Sequence, residues 1–322
     1  MISFLVRRIL IGVLVLWLIT VLVFAMFFIA PSNVAQTLGG RNATPQTIAL
    51  IQQRLGLDQP IPVQYGKFLW NAVRGDLGYD YYHGVAVTSI IGDAIPKTAS
   101  LAIGAAIIWL VLGVFNGVTS AVRPRSIVDR GLTAFSLFFY SMPTFLLGLL
   151  LLYFLFFRLT VGGFAWFPAG GYVNLSDDPA GWARALILPW LTLALVSAAT
   201  YTRLTRASML EVLGEDYVRT ARSKGISERR VVYRHGLRSA LTPVVTQFGI
   251  DLGTLVGGAA VTESVFGIDG IGRTALTAIN QQDLPVIVGI VIFASACVVA
   301  ANLLVDLAYA VIDPRLARGA AG

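Results

Sequence analysis

The stretch EDYVRTARSKGISERRVVYRHGLRSALTP, Glu215 to Pro243, is a basic, helix-capped loop set between two long apolar segments. Gly214 ends the preceding helix, and Glu215 and Asp216 complement the positive dipole end of a new one. Tyr217, Val218 and Ala221 put apolar groups on one side at helical spacing, with Arg219 between them. Arg222 and Lys224 fall in the last turn, where cations are favoured, and Gly225 supplies a left-handed stop. The spacing predicts a helix of roughly ten residues, about 15 Å long. Ser227 and Glu228 read as a fresh cap and first turn, and Arg230, Arg234 and Arg238 recur every four residues as a basic stripe. Pro243 is expected to break that second helix. The result is a helix-turn-helix brace with the character of a docking element.

Outward from this loop the chain is apolar. With 56% hydrophobic and 13% charged residues over 322 positions, it falls in the polytopic membrane class. Six segments approach the ~20 apolar residues that a span requires: Ile9 to Ala30, Thr98 to Val118, Leu132 to Phe157, Leu186 to Tyr201, Pro243 to Val265, and Pro285 to Ala310. The fourth is short and interrupted by Pro189, so its edges extend toward Trp182 or Arg203. An all-α fold of six transmembrane helices follows, with both termini on one side.

Charge selects the side. Sixteen basic residues fall with the termini and eight opposite, five of those eight in the long 31–97 segment. Short loops carry the orientation signal, so both termini are expected in the cytoplasm. Orientation also accounts for the basic pI of about 9.7 without nucleic acid, for which no recognition module is visible. The apolar run after Arg7 and Arg8 is too long for a signal peptide and is expected to remain as the first span. Cys297 is the single cysteine, which excludes internal disulfides and thiol metal sites. His83 and His235 fall in different segments outside the spans, so no metal ligands are expected at membrane depth.

The external segment is expected to form a helical cap. Thr44 and Pro45 open a helix with Ile48, Ile51 and Leu55 on one face, and Pro62 opens another with Phe68, Leu69 and Val73 inward. Gly75, Asp76, Leu77 and Gly78 make a turn, and Tyr79, Tyr81, Tyr82 and His83 form an aromatic patch suited to a membrane interface or a partner protein. Within the spans, Gln247 and Asp251 share a face one turn apart and suit either a translocation path or an interhelical hydrogen bond. Asn302 and Asp306 suit pairing with Arg203 or Arg206. Gly253, Gly257 and Gly258 permit close helix approach, and Pro143 should kink the third span near Ser141, whose hydroxyl compensates.

The run Ala221 to Gly225 and the amphipathic stretch ending in Leu241 and Pro243 resemble the coupling loop of binding-protein-dependent ABC importer permeases, closest to the dipeptide/oligopeptide branch (B-type). LGLDQPIPVQYGKFLWNAVRGDLG (Leu55 to Gly78), SMPTFLLGLLLLY (Ser141 to Tyr153), ESVFGIDGIGR (Glu263 to Arg273) and NLLVDLAYAVIDPR (Asn302 to Arg315) agree with that branch, so the resemblance spans nearly the whole chain. The wider superfamily usually carries Glu where this chain has Arg219, and a shorter distance from Gly to Pro than that between Gly225 and Pro243. A salt bridge from that Glu therefore does not carry over.

The resemblance implies a type I ABC importer permease (MetI-like) fold, a single transmembrane domain over 1–322 with the 31–97 segment outside and the 203–242 coupling loop in the cytoplasm. It implies a pore half that imports peptides, with a nickel chelate, glutathione or haem as the alternative cargo and an ion-coupled carrier as the alternative mechanism. The partners implied are a second homologous permease subunit, cytoplasmic ATPase subunits docked on residues 215–225, an extracytoplasmic binding protein and membrane lipids. No cofactor is expected in this chain, ATP and Mg being bound by partner subunits. The absence of a G-x-x-x-x-G-K-[ST] phosphate loop agrees with a transport subunit that is not itself an ATPase.

Overall fold

The computed structural model describes residues 2–26, 44–55, 58–80 and 83–312. In chain order the elements are α1 (Ile2–Phe24), α2 (Pro45–Leu55), α3 (Ile61–Val73), the two-residue strands β1 (Tyr79–Asp80) and β2 (Val85–Ala86), α4 (Val87–Val122), α5 (Ile127–Tyr140), α6 (Thr144–Leu151), α7 (Pro179–Leu213), α8 (Asp216–Ser223), α9 (Leu237–Gly258), α10 (Ala260–Phe266), α11 (Ile271–Gln281) and α12 (Leu284–Ile312). Apart from one small antiparallel hairpin, Tyr79 opposite Ala86, the architecture is helical. Among the described residues five helical stretches are long and apolar enough to cross a bilayer: Val6–Phe24, Val87–Val122, Thr144–Val161, Pro179–Leu213 and Leu284–Leu304. The remaining expected span, Pro243 to Val265, falls on α9 and α10, where the side chains of residues 252–254 and 256–258 lie outside the description.

Two compact units compose the chain, residues 1–95 with 274–322, and residues 96–273. In the first unit α1 packs along α12, and a Cβ at Gly12 would stand 2.9 Å from Val299 Cγ1, so the two backbones approach closely. α3 returns onto the end of α1 through Tyr65 and Phe68, whose rings lie 5.4 and 5.7 Å from that of Phe24, while the Tyr65 hydroxyl hydrogen-bonds Thr20 at 2.9 Å. Val73, expected to face inward, is 75% exposed, because the Tyr65 and Phe68 edge is the one turned to α1. Leu77 and Val87 pack toward Gly289 of α12, and Gly78 toward Pro285, which fastens the hairpin to the start of the last helix.

The second unit is held by α7. Trp109, Ala105, Tyr201, Ala194, Ala198 and Val244 form its central cluster. A Cβ at Gly113 would lie 2.3 Å from Tyr201 Cβ, and one at Gly117 2.5 Å from Thr205 Cβ. Two glycines four residues apart thus let α4 and α7 touch backbone to backbone. The sequence pointed to Gly253, Gly257 and Gly258 for this purpose. They lie in α9 with surroundings outside the description; among the described residues a close seam is formed by Gly113 and Gly117.

Proline behaves differently at two sites. At Pro143 the expected kink is a full interruption: α5 stops at Tyr140 and Pro143 caps α6, with the Ser141 hydroxyl donating to Leu137 O at 2.9 Å. Beyond α6 the helix continues as a π segment, Leu152–Arg158. At Pro243, by contrast, no break occurs. Residues 228–230, a π segment Val231–Gly236 and α9 run on continuously, and Pro243 sits inside α9 on its exposed side. Its missing amide costs about 3 kcal/mol at most positions, but the neighbouring Ala240 and Val244 are buried, and releasing them would cost a similar amount.

Candidate coupling site and its supports

The predicted short helix is α8, preceded by Glu215 and followed by Lys224 and a left-handed Gly225, φ 74°. Of the three apolar residues predicted on one side, two turn inward and Tyr217 does not. Val218 is fully buried and Ala221 nearly so, packed against Val231 with Val212, Leu213 and Ile226 around them. The apolar side of α8 therefore docks onto its own chain and is unavailable to a partner. The reason is local: α7 ends in Val212 and Leu213, and the turn at Gly225 folds Ile226 and Val231 back beneath the helix.

What α8 presents outward is mixed. Tyr217 is 46% exposed and its hydroxyl donates to Ser239 Oγ at 3.1 Å. The Arg219 side chain is 74% exposed and lies 3.6 Å from Asp216. Glu215 and Lys224 are exposed at the two ends. Arg222, one of the residues 215–225 expected to meet the ATPase, binds Glu228 through two hydrogen bonds, 3.1 and 2.8 Å, and reaches Leu213 O at 3.3 Å. That guanidinium holds the Glu228 carboxyl below its usual range. Arg222 thus closes the brace rather than extending it. Arg230, Arg234 and Arg238 are all exposed, but the π segment between them breaks the four-residue register of the expected stripe.

α8 sits at the end of α7, a 35-residue helix about 50 Å long. Two turns before that end, Arg206 makes a bidentate pair with Asp129 of α5, Nε to Oδ1 at 2.7 Å and Nη2 to Oδ2 at 2.8 Å. Ser120 of α4 donates to the same carboxylate, and the Arg125 amide donates to it at 2.8 Å. Arg206, then Ser120, hold the Asp129 carboxyl well below the usual carboxylate range. Arg206 was expected to pair with Asp306, but its partner is Asp129. Arg203 lies over the Tyr140 ring, 4.3 Å from its centroid, and the Asp306 side chain is outside the description. Asp129 was missed in the sequence because its partner is distant along the chain. The available signal was a carboxylate one turn from the cap Ser126.

Gln247 and Asp251 meet as the spacing predicted, Gln247 Nε2 donating to Asp251 Oδ1 at 2.9 Å. The fully buried Tyr201 of α7 donates to Asp251 Oδ2 at 2.7 Å, beside Trp109. The pair is thereby an interhelical link between α7 and α9. Glu263, quoted above only as part of a motif, is fully buried and organises the turn that follows it. Its Oε1 accepts from Thr98 Oγ1 at 2.6 Å and its Oε2 from the Arg273 amide at 2.8 Å, while Thr98 Oγ1 accepts from the Ile271 amide. Of the external aromatic patch, Tyr79 is exposed and donates to Gly84 O, and His83 is exposed beside Asp80. Tyr81 and Tyr82 lie outside the described residues.

Two family models match the chain. The binding-protein-dependent transport system inner membrane component covers residues 110–318, and the N-terminal domain of such membrane components covers residues 1–102. The chain belongs to this family. The permease is also similar over nearly its whole length to proteins of known name. One named as a peptide transport system permease in Brucella abortus (strain 2308) is 39% identical over 316 residues, 98% of this chain and 99% of that protein. An oligopeptide transport system permease protein of Bacillus subtilis (strain 168) is 36% identical over 319 residues, 98% and 99% of the two chains. A peptide ABC transporter permease of Sinorhizobium fredii is 37% identical over 313 residues, 97% and 98% of the two. The permease is an all-α polytopic membrane protein and a component of a binding-protein-dependent transport system, as the resemblance implied.

Proposed function

We propose that this permease is the pore-forming subunit of an ATP-driven importer that moves di- and oligopeptides across the bacterial cytoplasmic membrane. It pairs with a second homologous permease subunit in the lipid bilayer and receives its cargo from an extracytoplasmic binding protein. Cytoplasmic ATPase subunits, which bind ATP and Mg, dock on α8, and both termini lie on that same cytoplasmic side. The chain hydrolyses nothing itself. Near-full-length similarity to three proteins named for peptide transport supports the cargo.

The observation that carries the coupling role is the fastening of α8. Its inner face is buried on the chain, its base is closed by Arg222 and Glu228, and the helix that bears it is gripped by Asp129. A push on Tyr217 or Arg219 is therefore transmitted to α7 as a rigid displacement rather than absorbed by a loose loop. The gating consequence is alternation of the helices around the path. The test is uptake by proteoliposomes holding the assembled importer, with labelled dipeptides, longer peptides, a nickel chelate, glutathione and haem offered in turn. ATP-dependent peptide uptake that requires the binding protein is the expected result. Uptake driven by an ion gradient without ATP, or selective uptake of a non-peptide solute, overturns the mechanism or the cargo respectively.

A further inference from the structure

Asp80, His83 and Asp283 come together in the unit formed by residues 1–95 and 274–322. Asp80 ends β1, His83 lies in the turn between the strands, and Asp283 is the residue just before α12. One donor atom from each lies within 4.8 Å of the other two. Asp80 and Asp283 are each only 2% exposed, whereas the His83 side chain is 59% exposed. His83 Nδ1 lies 2.6 Å from Asp80 Oδ2, and the His83 amide donates to Asp80 Oδ1 at 3.1 Å. The Val286 amide reaches Asp283 Oδ1 only at 3.4 Å.

Two charged carboxylates facing one another out of water repel, and the Asp80 and Asp283 carboxyls lie within hydrogen-bonding reach of each other, so a divalent cation would take the place of the proton that such a pair otherwise shares. The donor set, two carboxylate oxygens and one imidazole nitrogen, is that of first-row transition ions, which accept mixed N and O ligands. Ligand bonds of about 2.0–2.2 Å place donors roughly 3.5 Å apart, so closure around an ion needs movements of about an ångström. The exposed imidazole leaves a route from solvent to the buried oxygens. We propose that Asp80, His83 and Asp283 form a divalent transition-metal site that fastens the β1–β2 hairpin to the start of α12.

The consequence is mechanical. Hairpin and α12 already meet at Gly78 with Pro285 and at Val87 with Gly289, and the ion adds a polar clasp at the open end of that contact. The experiment uses the full-length permease purified in detergent, stripped with EDTA and titrated with zinc chloride and, separately, manganese chloride by calorimetry, with metal content measured after desalting. Wild type is expected to retain about one equivalent of one of these ions and to unfold at a higher temperature when loaded. Asp80→Asn, Asp283→Asn and His83→Ala should each weaken binding about tenfold or more. His83→Ala alters an exposed side chain, so it tests the site even if the buried variants fold poorly. Absence of binding by wild type, or equal binding by wild type and His83→Ala, overturns the proposal. A melting temperature that depends on pH but not on either metal identifies a proton shared by the two carboxylates and overturns it equally.

Discussion

Arg206 grips Asp129 through two parallel hydrogen bonds, at 2.7 and 2.8 Å, and so ties α7 to α5 two turns before α7 hands over to the short helix α8. The same carboxylate receives Ser120 of α4, so three helices share one anion. Removing the cation leaves a buried carboxylate uncompensated. Arg206→Met is expected to lower stability by about 2–4 kcal/mol, read as a lower unfolding midpoint of the purified permease in detergent. The paired Arg206→Met, Asp129→Leu variant should recover part of that loss, because both charges are then gone; an equal or larger loss in the double variant contradicts the assignment.

Acid should reach this lock at a definite end of the scale. The folded-state pKa of Asp129 is depressed, so the pair contributes fully above the ordinary carboxylate value, about 4, and its contribution is lost as pH falls from there through the folded value. Unfolding midpoints measured stepwise from pH 6 to pH 2 should fall on the acid side for wild type. Asp129→Asn should be less stable near neutrality and show a flatter acid limb. Parallel limbs for the two proteins would assign the acid sensitivity to other carboxylates.

On α8 the burial pattern separates two kinds of substitution. Tyr217→Ala and Arg219→Glu alter the outward face and should leave the amount of permease in the membrane unchanged while weakening ATPase attachment by about 2 kcal/mol, roughly thirtyfold. Ala221→Asp buries a charge against Val218 and Val231 and should lower the yield of folded protein instead. Copurification of ATPase subunits and permease yield, measured side by side, check both outcomes. Full ATPase retention by the Tyr217 and Arg219 variants would move the docking surface elsewhere.

Glu263 offers two acceptor oxygens to Thr98 Oγ1 and to the Arg273 and Gly272 amides. In Glu263→Gln one oxygen becomes an NH2 facing a donor, a loss expected to cost about 1–3 kcal/mol. Thr98→Val removes one of the donors and also the acceptor of the Ile271 amide. The two losses should be less than additive in the double variant, because they dismantle one network. Strict additivity of the unfolding midpoints would show that the two residues act independently.

Gly113 tests the helix seam. Alanine there sets a methyl against Tyr201 Cβ, closer than van der Waals contact allows, so α4 must move off α7. A destabilisation of about 1–3 kcal/mol is expected in the unfolding midpoint, with Gly131→Ala, which meets open space, as the neutral control.

Runs of apolar residues near bilayer length are a local property, so the membrane class, five of the spans and the position of α8 were legible in the sequence. So were the left-handed stop at Gly225 and the meeting of Gln247 with Asp251, since cap chemistry and i, i+4 spacing are also local. The family followed from motifs strung along the whole chain. Which face of α8 turns inward was not legible, because it depends on Val231 and Leu213 arriving from either side. Nor was the continuity of α9 through Pro243: a proline's local preference was overridden by burial of Ala240 and Val244. The partners of Arg206 and Glu263 come from other helices, and partnership at that separation is set by packing alone. Chain periodicity selected the helices; contacts between distant residues decided which of their polar groups are structural and which remain free to face a partner.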